Sequence, residues 1–165
     1  MSGLRIHPTA IVDVGAELDA DVDVGPFALI GPQVHIGRGT RVGAHSVIEG
    51  RTRIGCDNQI FHHASVGAVP QDLKYRGEAS ELIVGDHNII REFATLHIGT
   101  AGGGMVTEVG NHNLLMNYSH VAHDCRIGHY NILANGANAG SAPRGCSCRP
   151  KPCWTRSPGP PGRRS

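Results

Sequence analysis

An aliphatic residue returns every six positions along most of this chain, and that period restricts the possible fold more than any other feature. The first series runs without a slip through Ile6, Val12, Leu18, Val24, Ile30, Ile36, Val42, Ile48, Ile54, Ile60 and Val66. It returns in phase at Val84, Ile90 and Leu96, shifts by one residue, and continues at Val109, Leu115, Val121, Ile127 and Leu133. An α-helix has a period of 3.6 and a single strand has a period of 2. A hexapeptide period predicts a parallel β-helix instead.

The composition fits a solenoid whose core is a column of aliphatic side chains. Three short strands per coil make a triangular prism of about 18 residues per coil, and equivalent residues stack ~4.8 Å apart along its axis. Gly often follows the aliphatic residue, and a small residue or Asn stands four positions after it. Such residues accept the bent backbone of a corner. Aromatic residues are only 4% of the chain, whereas Gly counts 23.

Two interruptions of the period predict two loops, at 67–83 and 97–108. We expect coils at 6/12/18, 24/30/36 and 42/48/54, then a coil at 60/66 whose third face is replaced by the loop 67–83. The coils 84/90/96, 109/115/121 and 127/133/139 are expected to follow. In this register both loops leave from the third face, which also carries Leu96 and Val121.

Polar residues beside these loops are expected to converge on one edge of the prism. His97 follows Leu96, His120 precedes Val121, and both point outward in this register, as does His123. Surface loops on a rigid scaffold usually carry function. We therefore expect the segment 71–75 to meet the three histidines. The glycine run at 102–104 lacks the strand–helix context of a phosphate-binding loop and is expected to be a flexible loop.

Several segments together resemble a known enzyme family. They are Gln71-Asp72-Leu73-Lys74-Tyr75, Thr95-Leu96-His97, Asn113-Leu114-Leu115-Met116, His120-Val121-Ala122-His123-Asp124-Cys125 and Ile132-Leu133-Ala134-Asn135. They resemble the family of UDP-N-acetylglucosamine O-acyltransferases that use acyl carrier protein, and the resemblance covers residues 1–140. It implies a left-handed β-helix, a homotrimer with active sites between neighbouring prisms, and a cytoplasmic enzyme that uses no metal or other cofactor.

The family's reaction is the first acylation of lipid A synthesis. A 3-hydroxyacyl group moves from acyl carrier protein to the 3-hydroxyl of UDP-N-acetylglucosamine. A sugar hydroxyl needs a base to attack a thioester, and neutral His serves near pH 7.

The resemblance also implies a role for each site residue. It makes His123 the general base, while Asp124 orients the imidazole if a corner separates the two residues. It further implies that Gln71, Asp72 and Lys74 hold substrate and that His97 and His120 line the pocket. Asn135 is a candidate for substrate binding, and backbone N–H groups of 135–140 are candidates for stabilising the oxyanion.

Charge and hydropathy exclude other classes of protein. Residues 1–140 hold 9 basic and 14 acidic residues, a net of −5, which argues against general nucleic-acid binding. No apolar run reaches ~18 residues, which argues against a membrane span, and the first residues lack the pattern of a signal peptide.

Residues 141–165 have a different composition, with six Pro, six Arg or Lys and three Cys but no acidic residue. We expect a disordered tail unrelated to the family, of aberrant or frame-shifted origin, in place of further coils and of a helical C-terminal domain. Weak trimerisation and poor or absent turnover are expected to follow. The tail cysteines Cys146, Cys148 and Cys153 have a weak spacing for zinc.

Other readings of the repeat stay open. A related N-acyltransferase would need a nucleotide-binding domain before the repeats, which begin at Ile6. A γ-class carbonic anhydrase-like trimer would hold a metal through a wider His pair than His120 and His123. Another hexapeptide-repeat acyltransferase or a catalytically dead scaffold fragment would share the fold.

Overall fold

The computed structural model describes residues 3–140, which form a left-handed parallel β-helix of short strands. Three parallel sheets make the three walls of the prism. The first sheet contains β1 Arg5–Ile6, β4 Asp23–Val24, β7 Arg41–Val42, β10 Gln59–Ile60, β13 Ile89–Ile90, β16 Leu114–Leu115 and β19 Ile132–Leu133. The second contains β2 Ile11–Val12, β5 Leu29–Ile30, β8 Val47–Ile48, β11 Ser65–Ala68, β14 Thr95–His97, β17 His120–Val121 and β20 Asn138–Ala139. The third contains β3 Glu17–Leu18, β6 Val34–Ile36, β9 Arg51–Ile54, β12 Glu81–Val84, β15 Val106–Val109 and β18 Arg126–Ile127.

The aliphatic period becomes the core, as the sequence predicts. The repeat residue of each strand points inward, and the residue before it points outward because side chains alternate along a strand. Ile30, Ile48, Val66, Leu96 and Val121 form one such column in the second sheet, and each is 0% or 1% exposed. The strands pair parallel from coil to coil, so like residues stack on one another.

The assignment of coils after Val66 was wrong. Val84 pairs with Ile54 in the third sheet, and Val109 pairs with Val84 there. The coils are therefore 60/66/84, 90/96/109, 115/121/127 and 133/139, and the coil that begins at Ile60 has all three faces. The step from Val66 to Val84 is 18 residues, which is 12 more than the repeat needs. Twelve residues are two hexapeptides, so an insertion of this length keeps the phase of the repeat. The phase alone therefore does not show that Val84 belongs to the third sheet.

Both connections therefore leave at the edge between the second and third sheets. They span 69–80 and 98–105, between β11 and β12 and between β14 and β15. Leu96 and Val121 are neighbours as expected, but in the second sheet rather than on the third face. We call this edge, with its two connections, the site edge.

The edge between the first and second sheets is regular by comparison. Five of its turn residues have positive φ, from 56° to 59°. They are Phe27, His45, His63, Phe93 and Tyr118, and their rings stack with centroids 5.0 to 5.1 Å apart. We call it the ring edge.

Asparagine side chains hold the remaining edge, between the third and first sheets, from inside. The stacked residues are Asn58, Asn88, Asn113 and Asn131. The side-chain oxygen of each of the first three accepts hydrogen bonds, at 2.8 to 3.1 Å, from the backbone N–H and the side-chain amide of the asparagine in the next coil. These bonds satisfy buried polar groups at each turn.

The predictions for residues 141–165, including the tail and its cysteines, lie outside the described residues. Within residues 3–140 there is no helix, and hence none long and apolar enough to cross a membrane.

Candidate functional site

His123 and Asp124 lie in the turn that leads from the second to the third sheet, between β17 and β18. Asp124 has φ of 61°, in the left-handed region that Asp tolerates better than most residues. This corner lets two consecutive side chains turn toward each other, which an extended strand would prevent. His123 Nδ1 lies 2.7 Å from Asp124 Oδ2. The condition that the sequence set for pairing these two residues is therefore met.

The Asp124 carboxylate is buried, with 5% of its side chain exposed, whereas 23% of the His123 side chain reaches the surface. A carboxylate only accepts hydrogen bonds, so the proton of the His123 ring stands on Nδ1. The other ring nitrogen, Nε2, then carries a free lone pair. The pair has the geometry of a base whose tautomer is fixed by a neighbouring acid.

His97 and His120 lie on adjacent strands of the second sheet, beside this pair. Their rings meet edge to face with centroids 4.7 Å apart. His120 Nδ1 lies 2.7 Å from Thr95 Oγ1, its partner across the strand pair. His97 is buried, at 5% exposure.

Burial lowers the pKa of both imidazoles. Desolvation, together with smaller contributions from the charges of His120 and His123, lowers the pKa of His97 to about 4. Desolvation, opposed by a bond to Thr95, also lowers the pKa of His120, again with a contribution from His123. His97 is therefore neutral at pH 7, and the charge contributions show that all three histidines share one neighbourhood.

The segment with Gln71, Asp72 and Lys74 forms a turn in the connection 69–80. Asp72 Oδ1 accepts a hydrogen bond from the Lys74 backbone N–H at 2.9 Å, so this carboxylate caps its own turn. Gln71 and Lys74 are exposed. No hydrogen bond or ion pair recorded in residues 3–140 joins these three side chains to the histidines, although all lie on the site edge.

Asn135 lies elsewhere. It is exposed in the turn between β19 and β20, on the ring edge, and so the structure does not bring it to His123 within one chain. His62 and His63 lie on that same edge, where their rings contact Phe93.

Sequence reasoning assigns no role to Thr100, Thr107 or Gly103, yet all three contact Asp124. Thr100 donates its backbone N–H to Oδ1 at 2.8 Å and its hydroxyl to Oδ2 at 2.6 Å. Thr107 Oγ1 accepts the Asp124 backbone N–H at 2.8 Å. The sequence does show an insertion near the candidate acid Asp124, and such an insertion is a place to look for hydrogen-bond donors. The six-residue period does not predict where the residues of that insertion lie.

Within residues 3–140, no group of three or more His, Cys, Asp or Glu side chains is arranged to hold a metal ion. The arrangement at the site edge instead suits proton transfer at Nε2 of His123, with neutral imidazoles beside it.

Known proteins match this fold and sequence. The family model described as bacterial transferase hexapeptide (six repeats) matches residues 107–139. An acyl-[acyl-carrier-protein]–UDP-N-acetylglucosamine O-acyltransferase of Saccharophagus degradans is 53% identical over 132 residues, which are 80% of this chain and 51% of that protein. The chain belongs to the UDP-N-acetylglucosamine O-acyltransferase family. It spans about half the length of the relatives it matches.

Solved structures of the same family agree. LpxA of Acinetobacter baumannii superposes with a TM-score of 0.80 at 52% identity, over 81% of this chain and 52% of that one. The UDP-N-acetylglucosamine acyltransferase of Campylobacter jejuni gives 0.78 at 38% identity, over 81% and 52%.

Proposed function

We propose that this chain transfers, with low turnover, a 3-hydroxyacyl group from acyl carrier protein to the 3-hydroxyl of UDP-N-acetylglucosamine, in the cytoplasm, with His123 as general base. The observation that carries the proposal is the 2.7 Å pair of His123 and buried Asp124. This contact leaves Nε2 of His123 free. The chain is 53% identical in sequence, over 132 residues, to an enzyme named for this reaction.

The chemistry follows from the tautomer. His123 Nε2 takes the proton of the sugar hydroxyl as the oxygen attacks the thioester carbonyl. Asp124 stabilises the imidazolium that forms, because it already accepts the Nδ1 proton. The tetrahedral intermediate then collapses, the thiolate leaves, and the imidazolium returns the proton to it. An ester bond replaces the thioester bond, and no other reactant is needed.

Neutral neighbours support this role. A second positive charge beside His123 would disfavour the imidazolium, and the low pKa of His97 avoids that charge at pH 7. His97 and His120 thus offer uncharged hydrogen-bonding groups to a substrate. The connection 69–80 is proposed to hold the sugar nucleotide or the acyl substrate through Gln71, Asp72 and Lys74. Asn135 is proposed to contact substrate bound at a neighbouring prism.

Such a contribution from a neighbour requires the homotrimer. Support comes from the outer surface of the second sheet, where Ile11 and Leu29 are 66% and 39% exposed. Exposed apolar strips of this kind mark interaction surfaces. Light scattering on the purified chain tests the assembly, and Leu29→Asp is expected to give monomers.

The direct test is an acyl-transfer assay with 3-hydroxyacyl carrier protein and UDP-N-acetylglucosamine, comparing the chain with His123→Ala. We expect transfer to fall by a factor of about 10² to 10⁴ in the variant. Equal rates in the two proteins would contradict the role of His123. No transfer by either protein, with substrate binding intact in calorimetry, would identify a binding scaffold instead.

A further inference from the structure

The connection 98–105 closes over the Asp124 carboxylate. One residue, Thr100, donates to both carboxylate oxygens, through its backbone N–H and its hydroxyl. His123 and Thr100 share Oδ2, at 2.7 and 2.6 Å. Thr100 is 4% exposed, so water does not compete for these bonds.

The rest of the connection holds Thr100 in place. The Thr100 carbonyl accepts backbone N–H groups from Gly103, Gly104 and Met105, at 2.8 to 3.2 Å. This turn brings Gly103 against the carboxyl group of Asp124, so closely that a Cβ at Gly103 would overlap it. The backbone of Gly103 thus packs directly against the carboxyl group, beside Oδ2.

Within residues 3–140, no Lys or Arg side chain forms an ion pair with this carboxylate. In the described part of the chain, the one ion pair of Asp124 is with His123. A buried carboxylate that lacks a cation depends on hydrogen-bond donors for its stability as an anion. Thr100 supplies two of them, and Thr107 fixes the backbone of the same residue.

We propose that Thr100 is a positioning residue that acts through Asp124 and fixes the His123 ring in the tautomer protonated on Nδ1. The hydroxyl proton of Thr100 occupies one lone pair of Oδ2 and directs the other to His123. Loss of the hydroxyl frees the carboxylate to rotate, and the imidazole then exchanges between its two tautomers. Only the kinetic readout of this proposal rests on the proposed function.

The test combines Thr100→Val, which removes the hydroxyl at similar volume, with Thr100→Ser, which keeps it. Thr52→Val is the matched control, because Thr52 is also buried and occupies the position equivalent to Thr107 in the third sheet, and its hydroxyl donates to the Glu49 carbonyl. The primary measurement is the ¹⁵N spectrum of the His123 ring at a pH where it is neutral, which reports the tautomer without any substrate.

We expect one tautomer, protonated on Nδ1, in the wild type, Thr100→Ser and Thr52→Val, and a mixture in Thr100→Val. In the acyl-transfer assay, kcat is expected to fall about 10- to 100-fold in Thr100→Val with KM within about twofold, and Thr100→Ser is expected to restore it.

An unchanged tautomer in folded Thr100→Val overturns the proposal, whatever the rate. A tautomer mixture in Thr100→Val, together with a wild type that transfers no acyl group, supports the proposal while the proposed function fails. Gly103→Ala gives a second route if Thr100→Val does not fold, because its methyl group displaces the carboxyl group with Thr100 intact. Gly103→Ala is expected to give the tautomer mixture, and an unchanged tautomer there also overturns the proposal.

Discussion

The two edges that flank the second sheet use histidine in opposite ways. On the ring edge, His45 and His63 are exposed turn residues that stack between Phe27 and Phe93. On the site edge, His123 is bonded to a buried carboxylate. Both edges adjoin strands of the second sheet, and both contain non-glycine turn residues with positive φ.

The difference comes from what the inserted connections bury. A regular turn of this prism presents its side chain to water and to the equivalent residue one coil away. The connection 98–105 supplies the hydrogen-bond donors of Thr100 beside the turn of Asp124, so that this carboxylate loses water and gains hydrogen bonds. Glu78 of the connection 69–80 contacts the connection 98–105 at Ala101. His123 therefore has a buried carboxylate as its partner at a corner where the chain departs from its period.

The largest expected effect breaks the comparison at Asp124. Asp124→Asn keeps a residue that tolerates the left-handed turn but replaces an acceptor oxygen by a donor amide. The amide favours protonation of His123 on Nε2, which removes the base, and we expect kcat for acyl transfer to fall by about 10³ to 10⁴.

The matched control for that change is Asp57→Asn, because Asp57 also has positive φ, of 54°, on another edge. It is expected to leave kcat within about twofold. An equal loss in both variants would show that the turn conformation, rather than the carboxylate beside His123, determines the rate.

The second effect concerns stability and buried His97. Its folded pKa is about 4, and an unfolded His has a pKa near 6.5. Between these values the unfolded chain binds a proton that the folded chain does not, so stability falls as pH decreases from 6.5 to 4. We expect roughly 3 kcal/mol to be lost over this range through His97.

Urea unfolding of the wild type and of His97→Gln, from pH 8 to pH 4, measures this loss. The variant lacks the titrating ring and is expected to have the flatter curve, so the two proteins converge in stability as the pH falls. Parallel curves would mean that His97 is not desolvated in the folded chain.

The sequence predicts the regular parts of this molecule much better than the irregular ones. The six-residue step identifies the aliphatic column from Val12 to Leu133, because every coil repeats the same packing. It also predicts that His97 and His120 are neighbours. It fails at Val84, because 12 inserted residues preserve the period, so the sequence does not show that Val84 is the next repeat residue after Val66, on the third wall. The six-residue step also does not predict the positions of Thr100 and Gly103, because they depend on the path of an inserted connection.

A third effect tests the ring edge for its own role. Phe93 stacks between His63 and Tyr118, with centroids 5.1 and 5.0 Å away. Phe93→Ala removes both contacts and is expected to lower the free energy of unfolding by about 1–2 kcal/mol. Phe93→Asn also removes the ring but suits φ of 58°, and is expected to recover part of that loss.

Urea unfolding at pH 7.5 with an acyl-transfer assay on the same samples measures both properties. Stability is expected to change while kcat does not, because no ring of this stack contacts His123. A fall in kcat at unchanged stability would move part of the site to the ring edge.

The smallest effect concerns the contact between the two inserted connections. Glu78 accepts the Arg76 backbone N–H at 2.7 Å and the Ala101 backbone N–H at 3.2 Å, one on each carboxylate oxygen. The Arg76 bond, followed by those to the backbone of Glu78 itself and of Ala101, lowers the pKa of Glu78 below its usual value of 4.5. Because a lowered pKa favours the ionised form, the contact persists as pH falls past 4.5 and is lost only below the folded pKa.

Glu78→Gln has a single acceptor oxygen, which the shorter bond to Arg76 will occupy, and hydrogen exchange of the Ala101 amide at pH 5 is expected to quicken by about twofold. Exchange at Thr100 should follow it if the two connections protect Asp124 together, whereas unchanged exchange at both amides would show that the connection 98–105 stands without its neighbour.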